Sequence, residues 1–268
     1  MKKLEHLSEI YSFYDTFVID LWGVMHDGIV LNQKAIDAVE QLKKNSKKIV
    51  FLSNAPRPSV KVIDFLLRMK MDKKFLVNVI TSGEAAMQAI NQKKFGKNFY
   101  HLGPPRDTSL FEMVKDNKTN IENCDFILCT GLLDGYENEL EYYKTLLSKH
   151  TSKKLVCTNP DLTVHRGAKE EYCAGYLAKI FESLGGEVVY YGKPYKEIYK
   201  MCFDNSEKVL AIGDNLRTDI KGANNLNKDC LLISDGVHRK EFSNDSELQA
   251  LLTRYEVKVN YYQKELKW

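Results

Sequence analysis

Five side chains in this 268-residue chain are of types that could act together on an anionic substrate. Asp20, Ser53 and Asp214 each close or follow a largely apolar run, and Asp219 comes five residues after Asp214. Lys193, flanked by a glycine and a proline, lies between Ser53 and Asp214 in the chain. Polar residues that end buried parallel strands meet at the carboxyl edge of the sheet, where open α/β sheets bind ligands. The ordered series therefore predicts one assembled site.

The residue types indicate phosphate chemistry with a divalent metal. Clustered carboxylate oxygens from Asp20, Asp214 and Asp219 suit Mg²⁺, which would offset repulsion between Asp20 and an anionic substrate. Ser53 and nearby backbone N–H groups could hold phosphate oxygens, and Lys193 could neutralise a transferring phosphoryl group. Each residue taken alone also has an ordinary interpretation as a turn, a helix cap or a surface charge. The set as a whole favours function.

Strands and helices must alternate to position these residues. The pattern predicts a short helix at 4–14, a strand at 16–20, a helix from Ala35 to Leu42 and a strand at 48–52. Such a βαβα order is typical of a parallel sheet covered by helices. We therefore predict an α/β fold with a Rossmann-like parallel core.

A second α/β set interrupts this core. It contains predicted strands at 98–102, 126–129 and 155–158 and predicted helices at about 84–94, 137–149 and 170–184. The first pattern then resumes with strands near 188–191, 208–212 and 229–233. The predicted domains are a core at 1–80, an inserted α/β cap at 81–188 and the rest of the core at 189–268.

Composition excludes several functional classes. Hydrophobic residues make up 44% of the chain, charged residues 28%, and the net charge is only +3, which fits an ordinary soluble globular protein. The lysine pairs are dispersed and no nucleic-acid motif accompanies them, so no nucleic-acid partner is expected. No stretch approaches the ~20 apolar residues that cross a bilayer, and no membrane partner is expected. Six cysteines without a CxxC pair and a charged amino terminus favour a cytoplasmic location.

The series Asp20, Ser53, Lys193 and Asp214-x4-Asp219 resembles the four motifs of the haloacid dehalogenase superfamily, over residues from about 16 to 240. The cap lies between the second and third motifs and contains Thr-Asn-Pro-Asp at 158–161, an arrangement similar to the class IIA branch with its C2-type cap. That branch includes nitrophenylphosphatase-like and pyridoxal-phosphatase-like enzymes.

The resemblance implies a role for each motif. Asp20 would be the nucleophile that forms an aspartyl-phosphate, Ser53 would bind phosphoryl oxygens and Lys193 would stabilise charge. Asp214 would bind Mg²⁺, with Asp219 as a ligand or a partner of a ligand. The backbone carbonyl of Trp22 would also face the metal.

Trp22 departs from the phosphatase pattern, in which an aspartate two residues after the nucleophile serves as general acid and base. Indole can do neither near neutral pH, and losing such a group typically costs about 10²–10⁴-fold in rate. Haloacid dehalogenases carry a tyrosine here, but their fourth motif does not resemble the Asp214/Asp219 pair, so phosphate chemistry is favoured. One hypothesis is that His26 or Asp27 transfers the proton, although His26-Asp27-Gly28 could simply form a turn. Another is that the substrate has a good leaving group.

Substrate contacts are expected from both parts of the chain. Arg166 could pair with a second anionic group, and Asn159 or Asp161 with hydroxyls or an amine, unless local hydrogen bonds alone explain that loop. Asn54 and Arg57 border the phosphate position. His165, in the same cap loop, could also reach the substrate. A turn adequately explains Asp235, Gly236, His238 and Arg239. The terminal aromatics, which are Tyr255, Tyr261, Tyr262 and Trp268, would dock on the core or on a second subunit of a homo-oligomer.

The predicted function is Mg²⁺-dependent hydrolysis of a small phosphorylated metabolite, such as a sugar phosphate, through an aspartyl-phosphate intermediate. Two alternatives stay open. One is hydrolysis of a non-phosphate bond with Asp20 as nucleophile, and the other is a catalytically weak phospho-ligand-binding protein.

Overall fold

Two parallel sheets and a short hairpin organise the computed structural model, which describes residues 1–167 and 169–268. The strands are β1 (Lys2–Lys3), β2 (Thr16–Ile19), β3 (Lys48–Ser53), β4 (Val79–Thr81), β5 (Phe99–Leu102), β6 (Phe126–Cys129), β7 (Lys154–Cys157), β8 (Thr163–Arg166), β9 (Lys169–Tyr172), β10 (Glu187–Tyr190), β11 (Val209–Gly213), β12 (Asp229–Ile233) and β13 (Tyr261–Gln263). The α-helices are α1 (Gln33–Lys44), α2 (Ser59–Arg68), α3 (Ser82–Asn91), α4 (Leu140–Ser148), α5 (Ala174–Ser183), α6 (Lys196–Tyr199), α7 (Lys221–Asn225) and α8 (Asp245–Arg254).

The larger sheet has the spatial order β1-β13-β12-β11-β2-β3-β4, and its neighbouring strands pair in parallel. Every residue of β2 and of β11 is buried, as expected for central parallel strands that are covered on both faces. In the pairing register Ile19 lies beside Ile212 on one side and Phe51 on the other. The carboxyl ends of β11, β2 and β3 are therefore adjacent. The predicted parallel α/β core is confirmed.

Helix α1 shows how the local sequence builds the cover of this sheet. The Asn32 side chain caps its amino terminus by accepting from the backbone N–H groups of Lys34 and Ala35. Its buried face is Ala35, Ala38, Val39 and Leu42, at the helical spacing that the sequence predicts. The same apolar cluster contains Phe17, Ile19 and Phe51 from the sheet.

The smaller sheet has the order β10-β7-β6-β5 and lies, in chain order, between β4 and β11. Its strands form a second apolar core with α4 and α5. Here the sequence prediction was wrong in one respect, because the strand predicted near 188–191 in the core is β10, which pairs with β7. A helix that follows β7 returns the chain beside β7, the usual geometry of a parallel crossover. The domain bounds at 80 and 188 stay a prediction.

Two local predictions also need correction. Residues 4–14 form two 3₁₀ turns, Leu7–Glu9 and Tyr11–Phe13, rather than one helix, while Leu7 and Ile10 still reach the core. The helix predicted at 170–184 begins at Ala174, because β9 pairs with β8 in an antiparallel hairpin.

The terminal aromatics dock on the core, as one of the two sequence interpretations held. Tyr261 and Tyr262 lie in β13 between β12 and β1, and the Trp268 ring packs 4.8 Å from that of Tyr11. Within the described part of the chain, none of the helices has both the length and the apolar character that crossing a bilayer requires.

Candidate functional site

Asp20 and Lys193 form the centre of the site at the carboxyl end of β2. The Lys193 ammonium donates to Asp20 Oδ1 at 2.6 Å, to Asp219 Oδ1 at 2.7 Å and to the Leu52 carbonyl at 2.9 Å. Asp20, Lys193 and Asp219 are all more than nine-tenths buried. Burial alone would lower the pKa of Lys193, but the two carboxylates raise it well above its usual range. One fixed cation is therefore shared by two buried anions.

The loop after β11 supplies the remaining carboxylates. Asn215 caps a π-helical turn at Leu216–Ile220, and its backbone N–H also donates to Asp219 Oδ2 at 3.1 Å. Such single π turns are frequent at functional sites. Asp214 Oδ2 accepts from the backbone N–H of Val237 at 2.8 Å, so the loop after β12 fixes its orientation. Both carboxylates are thereby held by backbone groups.

The arrangement of carboxylates fits a divalent cation. One oxygen each from Asp20, Asp214 and Asp219 lies within 4.8 Å of the others. Burial, followed by repulsion from Asp219, raises the pKa of Asp214 to about 7, and burial raises the pKa of Asp20 well above its usual range despite Lys193. Three buried carboxylates with a single ammonium have an excess of negative charge, which a cation would relieve. The donor set is all oxygen, as Mg²⁺ prefers.

Two glycines allow the loops to approach Asp214 closely. Gly23, with φ of +83°, has no room for a side chain, because a Cβ there would lie 2.1 Å from Asp214 Oδ2. A Cβ at Gly236 would lie 2.2 Å from the same carboxylate. The turn at 235–239, which the sequence indicates only as a turn, is thus part of the site. His238 belongs to it, since its Nε2 accepts from the backbone N–H of Leu216 at 3.1 Å.

Ser53 and Asn54 follow β3 beside the central pair. Ser53 is 7% exposed, and its hydroxyl accepts from the backbone N–H of Ala55 at 3.2 Å. Asn54 Oδ1 accepts from the backbone N–H of Lys193 at 2.8 Å, and its Nδ2 donates to the Lys193 carbonyl at 3.2 Å. Asn54 thus holds the Lys193 backbone, and its predicted contact with the substrate stays a prediction.

A cavity of about 220 Å³ lies over Asp20 and Asp214. Its walls come from the loop after β2, the cap loop leading into β8 and the loop after β12. Of the cap residues Asn159, Asp161 and Arg166, which the sequence predicts to bind substrate, Asp161 lines the cavity. Its side chain also accepts from Asn215 Nδ2 at 3.2 Å. Burial raises the pKa of Asp161 to about 6. Asn159 does not line the cavity; its Oδ1 accepts from the Asp161 backbone N–H, which is the local alternative.

The two arginines predicted to bind substrate lie elsewhere. Arg57 Nε donates to Asp107 Oδ1 at 2.6 Å, and Asp107 is buried on the cap side. Arg166 is partly exposed, pairs with Glu171 at 3.5 Å and lies 5.3 Å from the Trp22 ring. Neither arginine is among the residues that line the cavity. Each is drawn away by a carboxylate partner that the sequence pattern does not reveal.

Trp22 lines the cavity and joins the core to the cap. Its indole Nε1 donates to the His165 carbonyl of β8 at 2.7 Å. A Cβ at Gly28 would lie 2.5 Å from the indole, so that glycine permits the packing. An aromatic side chain that holds the cap hairpin thus stands where a proton donor is usual in phosphatases.

His26 and Asp27 form a turn, as the alternative interpretation held. His26 Nδ1 accepts from the Gly28 backbone N–H at 3.0 Å, and burial lowers the pKa of His26 to about 4. Burial acts to raise the pKa of Asp27, but the backbone N–H groups of Val30 and Ile29 outweigh it and the pKa is lowered. The turn interpretation therefore describes both residues, and a role for either in proton transfer stays a hypothesis.

Arg239 is a cavity residue that sequence reasoning missed. It lies in the turn after β12 and lines the cavity together with His165. Its placement depends on the path of that loop, for which the sequence carries no signal beyond a glycine at 236.

Two family models match the chain, and between them they cover most strands of the larger sheet. One, described as haloacid dehalogenase-like hydrolase, matches residues 17–115, and one described as HAD-hydrolase-like matches residues 190–254. The 5'-nucleotidase YutF of Bacillus subtilis is 27% identical over 244 residues, which cover 87% of this chain and 91% of that protein. Phosphoglycolate phosphatase 1A of Arabidopsis thaliana is 23% identical over 88% of this chain and 73% of its own length.

Solved structures show the same relationship. A haloacid dehalogenase-like hydrolase of Brucella suis 1330 has a TM-score of 0.86 and 27% identity, with 98% of this chain and 99% of that chain covered. The 4-nitrophenylphosphatase of Thermotoga maritima, at a TM-score of 0.71, 24% identity and 96% coverage of both chains, shares the fold. Together these matches make the chain a hydrolase of the haloacid dehalogenase superfamily.

Proposed function

We propose that this protein hydrolyses a small phosphate monoester, with Asp20 as the nucleophile and Mg²⁺ as the cofactor. The observation that carries the proposal is the convergence of Asp20, Asp214, Asp219 and Lys193 beneath one cavity of about 220 Å³. The names of the relatives, a 5'-nucleotidase and a phosphoglycolate phosphatase, support phosphate as the group transferred.

Asp20, Asp214 and Asp219 would hold the cation, with the Trp22 carbonyl as a fourth protein ligand. When bound, Mg²⁺ supplies positive charge that stabilises ionised carboxylates and polarises the phosphoryl oxygens. Because three carboxylates share one ammonium in the protein alone, we expect the ionised form of Asp20 to depend on this added charge.

Asp20 Oδ would attack phosphorus and form an aspartyl-phosphate, while the ester oxygen leaves with the bonding electron pair. Water would then attack phosphorus, release inorganic phosphate and restore the carboxylate. Lys193 offsets the charge that collects at Asp20 and the phosphoryl group, and Ser53 would hold a phosphoryl oxygen. In phosphatases of this superfamily an aspartate usually occupies the position of Trp22, and its proton assists the leaving group.

The indole leaves that step without a donor on the loop after β2, so we propose that the enzyme prefers leaving groups that depart as stable anions. Aryl and acyl phosphates meet this condition, and simple alkyl phosphates do not. The predicted cap at 81–188 would close over the substrate and restrict the site to small metabolites.

The test is phosphate release from a panel of aryl, acyl, sugar and nucleotide phosphates, with and without Mg²⁺. We expect Mg²⁺-dependent release, fastest for aryl or acyl esters. Asp214→Asn is the matched variant, since it removes one carboxylate charge with little change in shape, and it should need far more Mg²⁺. No release from any ester, with an intact fold, would contradict the proposal and favour a phospho-ligand-binding protein.

A further inference from the structure

We infer that the substrate carries a second anionic group, a carboxylate or a further phosphate, which Arg239 and His165 bind in the cavity that Asp20 also lines. The inference rests on the proposed phosphatase function and names the class of its substrate. Arg239 of the core would thus bind this group in place of Arg166, the cap arginine that the sequence suggests.

Arg239 offers a positive charge to the second anionic group. Its side chain lines the cavity, and in the part of the chain that the structure describes no carboxylate lies within 4.0 Å of its guanidinium. The other arginines near the site, Arg57 and Arg166, are each paired with a carboxylate. Arg239 therefore has hydrogen-bonding capacity to offer an incoming anion, and a guanidinium fits a carboxylate or phosphate with two parallel bonds.

His165 offers a hydrogen-bonding atom to the same group. It lines the same cavity from the cap, and its Nδ1 is buried without a hydrogen-bond partner among residues 1–167 and 169–268. A buried polar atom in this state is unfavourable unless something binds it. Burial, followed by the positive charge of Arg239, lowers the pKa of His165. A neutral imidazole has one N–H group, which can donate a hydrogen bond to an anion.

The carboxylates in the cavity do not supply that partner. Asp20 is bonded to Lys193, Asp161 to Asn215, and Asp214 to the Val237 backbone. Asp235 pairs with the Lys264 ammonium at 4.0 Å. At the rim, Asp27 is bonded within its own turn. The cavity thus combines a group of carboxylates suited to a cation and a phosphoryl group with an arginine that has no carboxylate partner among the described residues.

The test compares kcat/KM for matched pairs of phosphate esters. All are acyl phosphates, whose leaving group departs as a stable carboxylate. One pair is succinyl phosphate against butyryl phosphate, and the other is 3-phosphonooxypropanoyl phosphate against butyryl phosphate. We expect the wild type to favour the member with the second anion. The pair with the larger preference distinguishes a carboxylate from a phosphate. 4-Nitrophenyl phosphate, which has no second anion, reports the hydrolytic step itself.

Arg239→Gln should lower the preference for the second anion by about 10- to 100-fold, the usual worth of a charge-assisted hydrogen bond. Arg239→Lys, which keeps the charge, should recover part of it, and His165→Leu should lower it by a smaller factor. Lys240→Gln is the control, because it removes a neighbouring exposed positive charge and should leave the preference unchanged.

Turnover of 4-nitrophenyl phosphate with no preference for either second anion would overturn the inference and leave the proposed function standing. An equal change of the preference in Arg239→Gln and Lys240→Gln would also overturn it, because general surface charge would then explain the effect. No phosphate release from any ester by the wild type would overturn the proposed function itself.

Discussion

Protonation of His26 should make this protein's stability depend strongly on pH below neutrality. The side chain is 4% exposed, and its ring packs against Trp22 and Phe65. Burial lowers its pKa from the usual 6.5 to about 4, whereas the unfolded chain keeps the usual value. The folded protein therefore binds this proton less readily than the unfolded chain does.

The sign and size of the effect follow from that difference. The contribution of His26 to stability is intact above pH 6.5 and is lost as the pH falls towards 4, because protonation increasingly favours the unfolded state. With one pKa unit worth about 1.4 kcal/mol, the loss between pH 7 and pH 5 comes to about 2 kcal/mol.

The assay is urea unfolding of the wild type and His26→Gln at pH 7 and pH 5. Between the two pH values, the free energy of unfolding of the wild type should fall by about 2 kcal/mol more than that of the variant. His101 is also buried with a pKa of about 4, but it is present in both proteins and its contribution cancels in the comparison. The same loss in both proteins would refute the buried, neutral His26. If His26 transferred a proton in catalysis, His26→Gln would lose one limb of the pH–rate profile. We expect that limb to persist.

Three further predictions concern the site and its supports. Trp22→Asp should raise kcat for alkyl relative to aryl phosphates by about 10²-fold, whereas Trp22→Phe should not; an unchanged ratio would mean that leaving-group protonation is supplied elsewhere. Arg57→Met should destabilise the protein by about 2–3 kcal/mol, because it leaves Asp107 buried and unpaired, and adding Asp107→Leu should recover much of the loss in urea unfolding; additive losses would contradict the pairing. Mg²⁺ at about 100 times its Kd should stabilise the wild type by about 2.7 kcal/mol, or roughly 5 °C in Tm, and Asp214→Asn should lose most of this shift; equal shifts would place the metal elsewhere.

The sequence predicts the core fold and its central residues because each signal lies within one short segment of the chain. Central parallel strands are apolar on both faces, so β2, β3 and β11 appear as continuous apolar runs, and the polar residue after each run lies at one edge of the sheet. The alternation of these runs with helical spacing then predicted the α/β class.

What escaped the sequence depends on contacts between distant segments. An apolar run indicates a strand but not the sheet that the strand joins, and β10 was assigned to the wrong one. The roles of Arg57 and Arg239 are decided by whether a carboxylate from another loop happens to reach them, as Asp107 reaches Arg57. Similarly, the hydrogen bond between Trp22 and the His165 carbonyl joins residues 143 positions apart.

The most direct test of the account is phosphate release by the wild type and by Asp20→Asn on the preferred aryl or acyl ester in saturating Mg²⁺. Loss of the nucleophile should lower kcat by at least about 10³-fold while the fold stays intact. Borohydride, which reduces an aspartyl-phosphate, should convert position 20 of the wild type to homoserine during turnover. Turnover by Asp20→Asn within tenfold of the wild type would contradict the covalent role of Asp20 and with it the central claim.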